Sequence, residues 1–288
     1  MKFASFEYAG RHTYGVFRGD RLVDLGARLG ARAPSLRALI TQGLLHEAGE
    51  QAYASTDTLD PREVKFLPVI PDPAMIVCVG LNYADHVKET GRDIAAAPVA
   101  PTLFLRTAAS QVGHDQDIPL PQESSALDFE GEIAVIIGKG GRRISKDDAW
   151  DHICGYACYN DATLRDWQSA ASQWTAGKNF WRTGAFGPWM VTSDEIPPGR
   201  PMTLVTRLNG VEMQRSNTEL LIHDIPSLIA YISAFTPLSP GDVIVTGTPG
   251  GVGFKRSPAV YMRPGDLVEI EVDAIGVLRN RIATELAG

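Results

Sequence analysis

The sequence predicts a β-rich α+β fold in two parts, a small N-terminal α+β domain over 1–68 and a larger domain over 72–288. Three observations carry this expectation. Short runs of branched and aromatic residues recur along the chain, punctuated by Gly, Pro and Asp. Helical periodicity is sparse and does not alternate regularly with those runs, which argues against a doubly wound parallel sheet. The stretch Asp57–Pro73 carries prolines at 61, 68, 71 and 73. Proline removes backbone donors and breaks regular structure, so this stretch marks the boundary.

The elements follow in order. Lys2–Tyr8, Thr13–Arg18 and Arg21–Leu25 read as strands, the last two joined by turn chemistry at Gly19-Asp20. Ser35 caps a helix that runs to about His46, with Leu36, Leu39, Ile40 and Leu44 near helical spacing. Beyond the boundary, strands are expected at Met75–Val79, Leu103–Leu105, Ile133–Ile137, Met190–Thr192, Leu204–Leu208, Val243–Val245 and Leu267–Val272. Helices are expected at Tyr83–Thr90, Lys146–His152, Thr163–Ser169 and Ile225–Phe235. No internal repeat or low-complexity segment interrupts this order.

Composition narrows the function classes. Of 288 residues, 44% are apolar and 21% charged, enough to build a core and too apolar for a disordered chain. The net charge is 27 − 34 = −7, and no basic-aromatic stripe appears, so nucleic acid is not the expected partner. No apolar run approaches the roughly 20 residues that span a bilayer. The start MKFASFEYAG lacks a charged region followed by an apolar one. The expectation is a cytoplasmic protein without a membrane partner. Cys78, Cys154 and Cys158 are few, odd in number and set in apolar stretches, which suits small core residues better than disulfides or a metal site. Gly247–Gly253 reads GTPGGVG, but Phe254 follows Gly253 where a phosphate-binding loop needs lysine, and no GxGxxG fingerprint occurs. It is either a plain hairpin loop or a loop that brings backbone close to a ligand or a neighbouring strand.

Four places carry candidate chemistry. Glu130 and Glu132 flank Gly131 at the start of the apolar run Ile133–Ile137, so they share one strand face, and Asp128 could join them. Like charges a few Å apart need a cation or a proton, and all-oxygen donors favour a hard ion over zinc. The plainer alternative is a solvated acidic patch. Asp161, after the aromatic run Tyr156–Tyr159, is either an N-cap or a third ligand. Asn82 is a natural N-cap that sets His86 and Glu89 three apart on one helical face. A carboxylate on one imidazole nitrogen fixes the tautomer and makes the other nitrogen a better base, unless the two are an ordinary exposed pair. Lys178 is a cation beside Gly177 among aromatic residues, either functional or part of a surface turn.

Together these segments resemble the fumarylacetoacetate hydrolase family. The matching pieces are CVGLNYADHVKE at 78–89, DFEGEIAVIIGK at 128–139, GYACYNDATLRDWQ at 155–168 and GK at 177–178. RLNGVEMQRSNT at 207–218, LSPGDVIVTGTPGGVG at 238–253 and RPGDLVEIEVDAIGVLRN at 263–280 follow. The resemblance implies a mixed β-roll or sandwich catalytic domain behind the N-terminal one, and a homodimer. It implies that Glu130, Glu132 and Asp161 hold Mg²⁺ or Mn²⁺, with Ca²⁺ as a further candidate and no organic cofactor. His86 and Glu89 become a water-activating dyad on a segment that orders as a lid, and Lys178 stabilises an enolate oxygen. Gln168 and Thr248 match positions that line the site. Arg106 stands where many relatives have lysine and is assigned with them to substrate binding. The implied reaction is metal-dependent hydrolysis of a C–C bond in an acylpyruvate or related 2,4-diketo acid. The alternatives are isomerisation or decarboxylation of muconate-type diacids or oxaloacetate on the same site, and a non-catalytic acid- or metal-binding module. One stretch departs from the family pattern, Asn179–Trp189, and Arg182 in it is either an interface or surface residue or a candidate for meeting a distal substrate carboxylate.

Overall fold

The computed structural model describes residues 1–91 and 99–285. Its centre is the strand Gly131–Ile137, whose seven residues are all buried. A run of Ile, Val and Ala suits a strand covered on both faces. This strand sits inside an 11-stranded, mostly antiparallel sheet. Its antiparallel neighbours are Ile153–Asn160 on one side and Val243–Val245 on the other. Beyond Val243–Val245 the sheet continues through Ile76–Gly80, which pairs parallel to it, and ends on Thr102–Arg106. A five-stranded sheet, ordered Val211–Asn217, Thr203–Leu208, Leu267–Val272, Gly276–Thr284 and Ile118–Leu120, packs against the large one. Their facing residues form one core that includes Ile133, Val135, Leu204, Ile270 and Leu278.

The N-terminal strands extend the large sheet. Lys2–Tyr8 pairs with Gly184–Thr192 in the register Lys2↔Val191 and Phe3↔Met190. Phe3, Tyr14, Leu25 and Leu36 pack in the same cluster as Ile76, Ala134, Ile136 and Phe186. Segment 1–68 therefore shares a sheet and a core with 72–288.

Several elements differ from expectation for local reasons. Ser35 does cap a helix, its Oγ accepting from the Ala38 N–H, but that helix ends at Thr41. Gly43, at φ +67°, turns the chain into a second helix, Leu45–Tyr53. Over Lys146–His152 only Ala149–His152 is helical, as one 3₁₀ turn. Ser145 and Asp148 hydrogen-bond to each other just before it and offer the backbone an alternative to helix. Thr163–Leu164 pairs with Leu127–Asp128 as a short ladder, leaving the helix to start at Arg165. Helix Ile225–Phe235 forms as expected, with Asp224 accepting from the Ser227 N–H and Pro226 in its first turn. Among the described residues no helix is long and apolar enough to cross a membrane.

Candidate active site

Strand pairing builds the acidic cluster. Gly131 pairs with Asn160, so the residue before one strand and the residue after the other become neighbours. The Asp161 N–H donates to the Glu130 carbonyl at 2.8 Å, and Asn160 Oδ1 accepts from the Glu130 N–H at 3.0 Å. Glu132 lies two residues further on. The three side chains are buried, and their carboxylate oxygens lie within 4.8 Å of one another. The solvated patch is thereby excluded. The Asp161 side chain caps no helix, because Lys178 and Arg106 both reach it.

Asp128 does not join this group. Its carboxylate accepts from Arg165 Nε at 2.8 Å and from the N–H groups of Phe129, Gly253 and Phe254. It serves as a tether between the short ladder, Arg165 and the glycine-rich loop.

Charge explains the cluster's demands. Four buried carboxylates, Asp128, Glu130, Glu132 and Asp161, meet three buried cations, Arg106, Arg165 and Lys178. Lys178 Nζ lies 2.6 Å from Glu130 and 2.5 Å from Asp161. Burial alone would lower the Lys178 pKa, but the Asp161 and Glu130 charges hold it above its usual value. Burial works against Glu130 as an anion as well, yet Arg165 and Lys178 outweigh it and hold its carboxyl at about 2. Glu132 forms no ion pair among the described residues, and Lys178 offsets its surroundings only in part. Burial, then the neighbouring Asp161 and Glu130, push its carboxyl well above the ordinary 4.5. One N–H, from Gly247, reaches it at 2.5 Å. A buried carboxylate group with excess negative charge and only oxygen donors fits a hard divalent cation held by Glu130, Glu132 and Asp161.

The His–Glu pair stands beside this cluster. His86 lies in the helix Ala84–Glu89 with its Nδ1 2.7 Å from Glu89 Oε1. Glu89 Oε2 accepts from the Gly251 N–H at 2.8 Å, so the carboxylate is clamped from both sides. The pair is therefore not an exposed one, and His86 is 6% exposed. Asn82 does not cap this helix; Tyr83 occupies the cap position without a side-chain bond. The buried Asn82 amide instead donates to the Thr246 and His223 carbonyls and accepts from the His223 N–H. It ties the helix entrance to the loop that follows Val243–Val245. That loop is no plain hairpin. Its Gly247, Gly251 and Gly253 N–H groups each meet a carboxylate, on Glu132, Glu89 and Asp128 respectively. Residues 92–98, which follow the helix Ala84–Glu89, lie outside the described residues.

A cavity of about 360 Å³ opens over the cluster. His86, Glu130, Glu132, Asp161, Gln168, Lys178 and Thr248 line it. Glu89 and Arg106 stand behind the lining. Arg106 was expected to touch substrate, but its side chain is fully buried, with Nη1 2.5 Å from Asp161 Oδ1 and Nη2 3.0 Å from Thr183 Oγ1. Its planar fork fixes Asp161 instead. Thr248 Oγ1 donates to the Gly131 carbonyl and accepts from Gln214, so it fixes the loop to the central strand. Gln168 Oε1 accepts from Arg165 Nη1. Arg182 is absent from the lining and stacks over its neighbour Trp181, 5.3 Å from the ring centre. The three cysteines are free, and burial pushes all three thiols above their usual range.

Arg165 was missed at the sequence level. It pairs with Asp128 and with Glu130 Oε1 at 2.6 Å, and its buried Nη2 has no partner among the described residues. The available signal was a lone cation four residues after Asp161 and directly before Asp166.

Comparison with known proteins gives the chain's family and fold relatives. The family model described as "Fumarylacetoacetate (FAA) hydrolase C-terminal" matches residues 75–283. The chain is 36% identical over 268 residues to "Oxaloacetate tautomerase fahd2, mitochondrial" of Xenopus laevis, covering 92% of this chain and 83% of that protein. Its structure superposes on fumarylacetoacetate hydrolase from Exiguobacterium antarcticum with a TM-score of 0.87 at 34% identity, covering 99% of this chain and all of the other. It also superposes on maleylpyruvate hydrolase from Sphingobium sp. SYK-6, solved with manganese(II) and pyruvate, with a TM-score of 0.82 at 28% identity and coverage of 99% and 100%. The two hydrolases share this architecture, and the tautomerase is similar in sequence. The chain belongs to the fumarylacetoacetate hydrolase family.

Proposed function

We propose that this protein is a divalent-metal-dependent hydrolase that cleaves the C–C bond of an acylpyruvate or related 2,4-dioxo acid. The observation that carries the reading is His86, backed by the clamped Glu89, facing the same cavity as the Glu130, Glu132 and Asp161 carboxylates. A Mg²⁺ or Mn²⁺ ion held by those carboxylates would polarise the 2-oxo acid end of the substrate and stabilise the departing pyruvate enolate. The protein supplies the proton chemistry. With Glu89 accepting from Nδ1–H, the lone pair of His86 sits on Nε2, where it takes a proton from water. The hydroxide adds to the distal carbonyl, the bond between that carbon and C3 breaks, and the proton held by His86 returns to C3. A carboxylate and pyruvate leave. Lys178 brings fixed positive charge to the cavity wall, where it supports oxygen atoms that gain charge.

Tautomerisation of oxaloacetate is the second reading, favoured by the printed activity of the Xenopus laevis relative. It uses the same His86 to move a proton between oxygen and C3 and needs no water. Incubating the protein and Mn²⁺ or Mg²⁺ with acetylpyruvate, maleylpyruvate and enol-oxaloacetate separates the two. Pyruvate release from the first two supports the hydrolase. Loss of the enol absorbance without any C–C cleavage across the panel overturns it in favour of the tautomerase.

A further inference from the structure

The cavity has two chemically different ends. Its deep end holds the three carboxylates, each at most 4% exposed. Apart from these, no acidic residue lines the cavity among the described residues. The lining reaches solvent at the exposed Ser172 and Lys255, next to the half-buried Gln168, Trp174 and Phe254. Lys255 is exposed there. The other lysine and the arginine of the lining, Lys178 and Arg165, are committed to Glu130, Asp161 and Asp128. Lys255 has no carboxylate within ion-pair distance among the described residues. It is nevertheless held in place. Its ammonium lies 4.8 Å from the centre of the Phe254 ring, and that ring carries the Arg165 guanidinium 4.1 Å away. Arg256, the next residue, anchors the loop by donating to the Gly251 and Met213 carbonyls. Gln168 spends its carbonyl on Arg165, so its amide N–H₂ is a second donor in this outer region.

We propose that Lys255 binds a distal carboxylate of the substrate, making the enzyme selective for 2-oxo diacids over 2-oxo monoacids. This rests on the function proposed above, in which the 2-oxo acid end occupies the carboxylate cluster. The role first considered for Arg182 is thereby assigned to a residue that does line the cavity. A cation at the mouth and a metal-holding cluster at the floor together read both ends of one elongated dianion. The plainer alternative, an exposed lysine without a ligand, predicts no discrimination.

The test uses uncleavable probes. Affinities of the full chain, saturated with Mn²⁺, are measured by calorimetry for 2-oxoglutarate against 2-oxopentanoate and for 2-oxoadipate against 2-oxohexanoate. Each pair matches in chain length and differs in the distal carboxylate. The wild type is expected to prefer the diacid in at least one pair by roughly fivefold, as a partly exposed ion pair allows. Lys255→Ala and Lys255→Gln are expected to abolish that preference, and Lys255→Arg to retain it. Equal preference in Lys255→Ala and wild type, or no preference in the wild type for either pair, overturns the inference while leaving the hydrolase reading intact. If the wild type binds none of the four acids with Mn²⁺ or Mg²⁺, the underlying reading fails instead.

Discussion

Glu132 is the least compensated of the four buried carboxylates. Glu130 has Arg165 and Lys178, Asp161 has Arg106 and Lys178, and Asp128 has Arg165 with three N–H groups. Glu132 has the Gly247 N–H and two acidic neighbours. Its place is explained by the ion it would share. Arg106 has the opposite character. It contacts no cavity space, yet without it Asp161 would keep a buried charge against Lys178 alone. Arg106→Met is expected to destabilise the fold by about 3–5 kcal/mol in urea denaturation, the usual cost of stranding one partner of a buried pair. A loss under about 1 kcal/mol would mean that Asp161 does not depend on it. Glu89→Gln keeps an acceptor for the Gly251 N–H and removes the charge behind His86. It is expected to lower kcat by about a hundredfold with a smaller change in KM, read from steady-state turnover. That Glu130 lies beside Glu132, and His86 beside Glu89, was legible because i,i+2 and i,i+3 spacing survives folding, whereas Asp161 reaches them only through the pairing of Gly131 with Asn160. The position of Arg106 was not legible, because nothing local says that Thr102–Arg106 ends against Asp161, 55 residues on.

At the scale of elements, the glycine-rich loop after Val243–Val245 does most to order the site. Three of its N–H groups hold three carboxylates that belong to separate segments. Gly247 has φ +106°, and a Cβ there would come 2.8 Å from Asn82 Cβ. Gly247→Ala is expected to cost about 1–3 kcal/mol in thermal or urea unfolding and to weaken Mn²⁺ binding by shifting the donor to Glu132. Unchanged stability would show that the loop tolerates a left-handed side chain. The loop's role could not be read from its composition, since its partners are fixed by sheet order. Strands with branched runs, such as Val243–Val245 and Leu267–Val272, were legible to the residue. Gly276–Thr284 was not. It alternates buried and exposed positions, with Arg279 and Arg281 exposed and the polar Asn280 buried, so its hydrophobic signal is diluted. The helix expected from Ser35 to His46 broke at Gly43, where one positive φ outweighs the heptad-like leucines on either side.

For the whole molecule, an acidic protein of net charge −7 is read as handling an anionic substrate, so attraction must be local. The buried cluster sets how stability responds to pH. Glu130, held at about 2, adds stability above the ordinary 4.5 that is lost as pH falls toward 2. Glu132, pushed above 4.5, does the reverse: the folded ion-free chain holds a proton that the unfolded chain has lost, so stability falls as pH rises through that window. A divalent ion displaces that proton. The rise in melting temperature caused by saturating Mn²⁺ is therefore expected to be larger at about pH 8 than at about pH 5.5, as thermal melts in matched ionic strength would show. The two-part layout read from the proline-rich stretch left out the sheet that joins Lys2–Tyr8 to Gly184–Thr192, a pairing of Lys2 with Val191, 189 residues on. The central claim is that Glu130, Glu132 and Asp161 together hold one divalent cation beside His86. Calorimetric titration of the ion-free protein with Mn²⁺ tests it most directly. One ion per chain in the wild type, with binding lost in Glu132→Gln and in Asp161→Asn, is the predicted result. Absence of binding in the wild type, or equal binding in both variants, would contradict it.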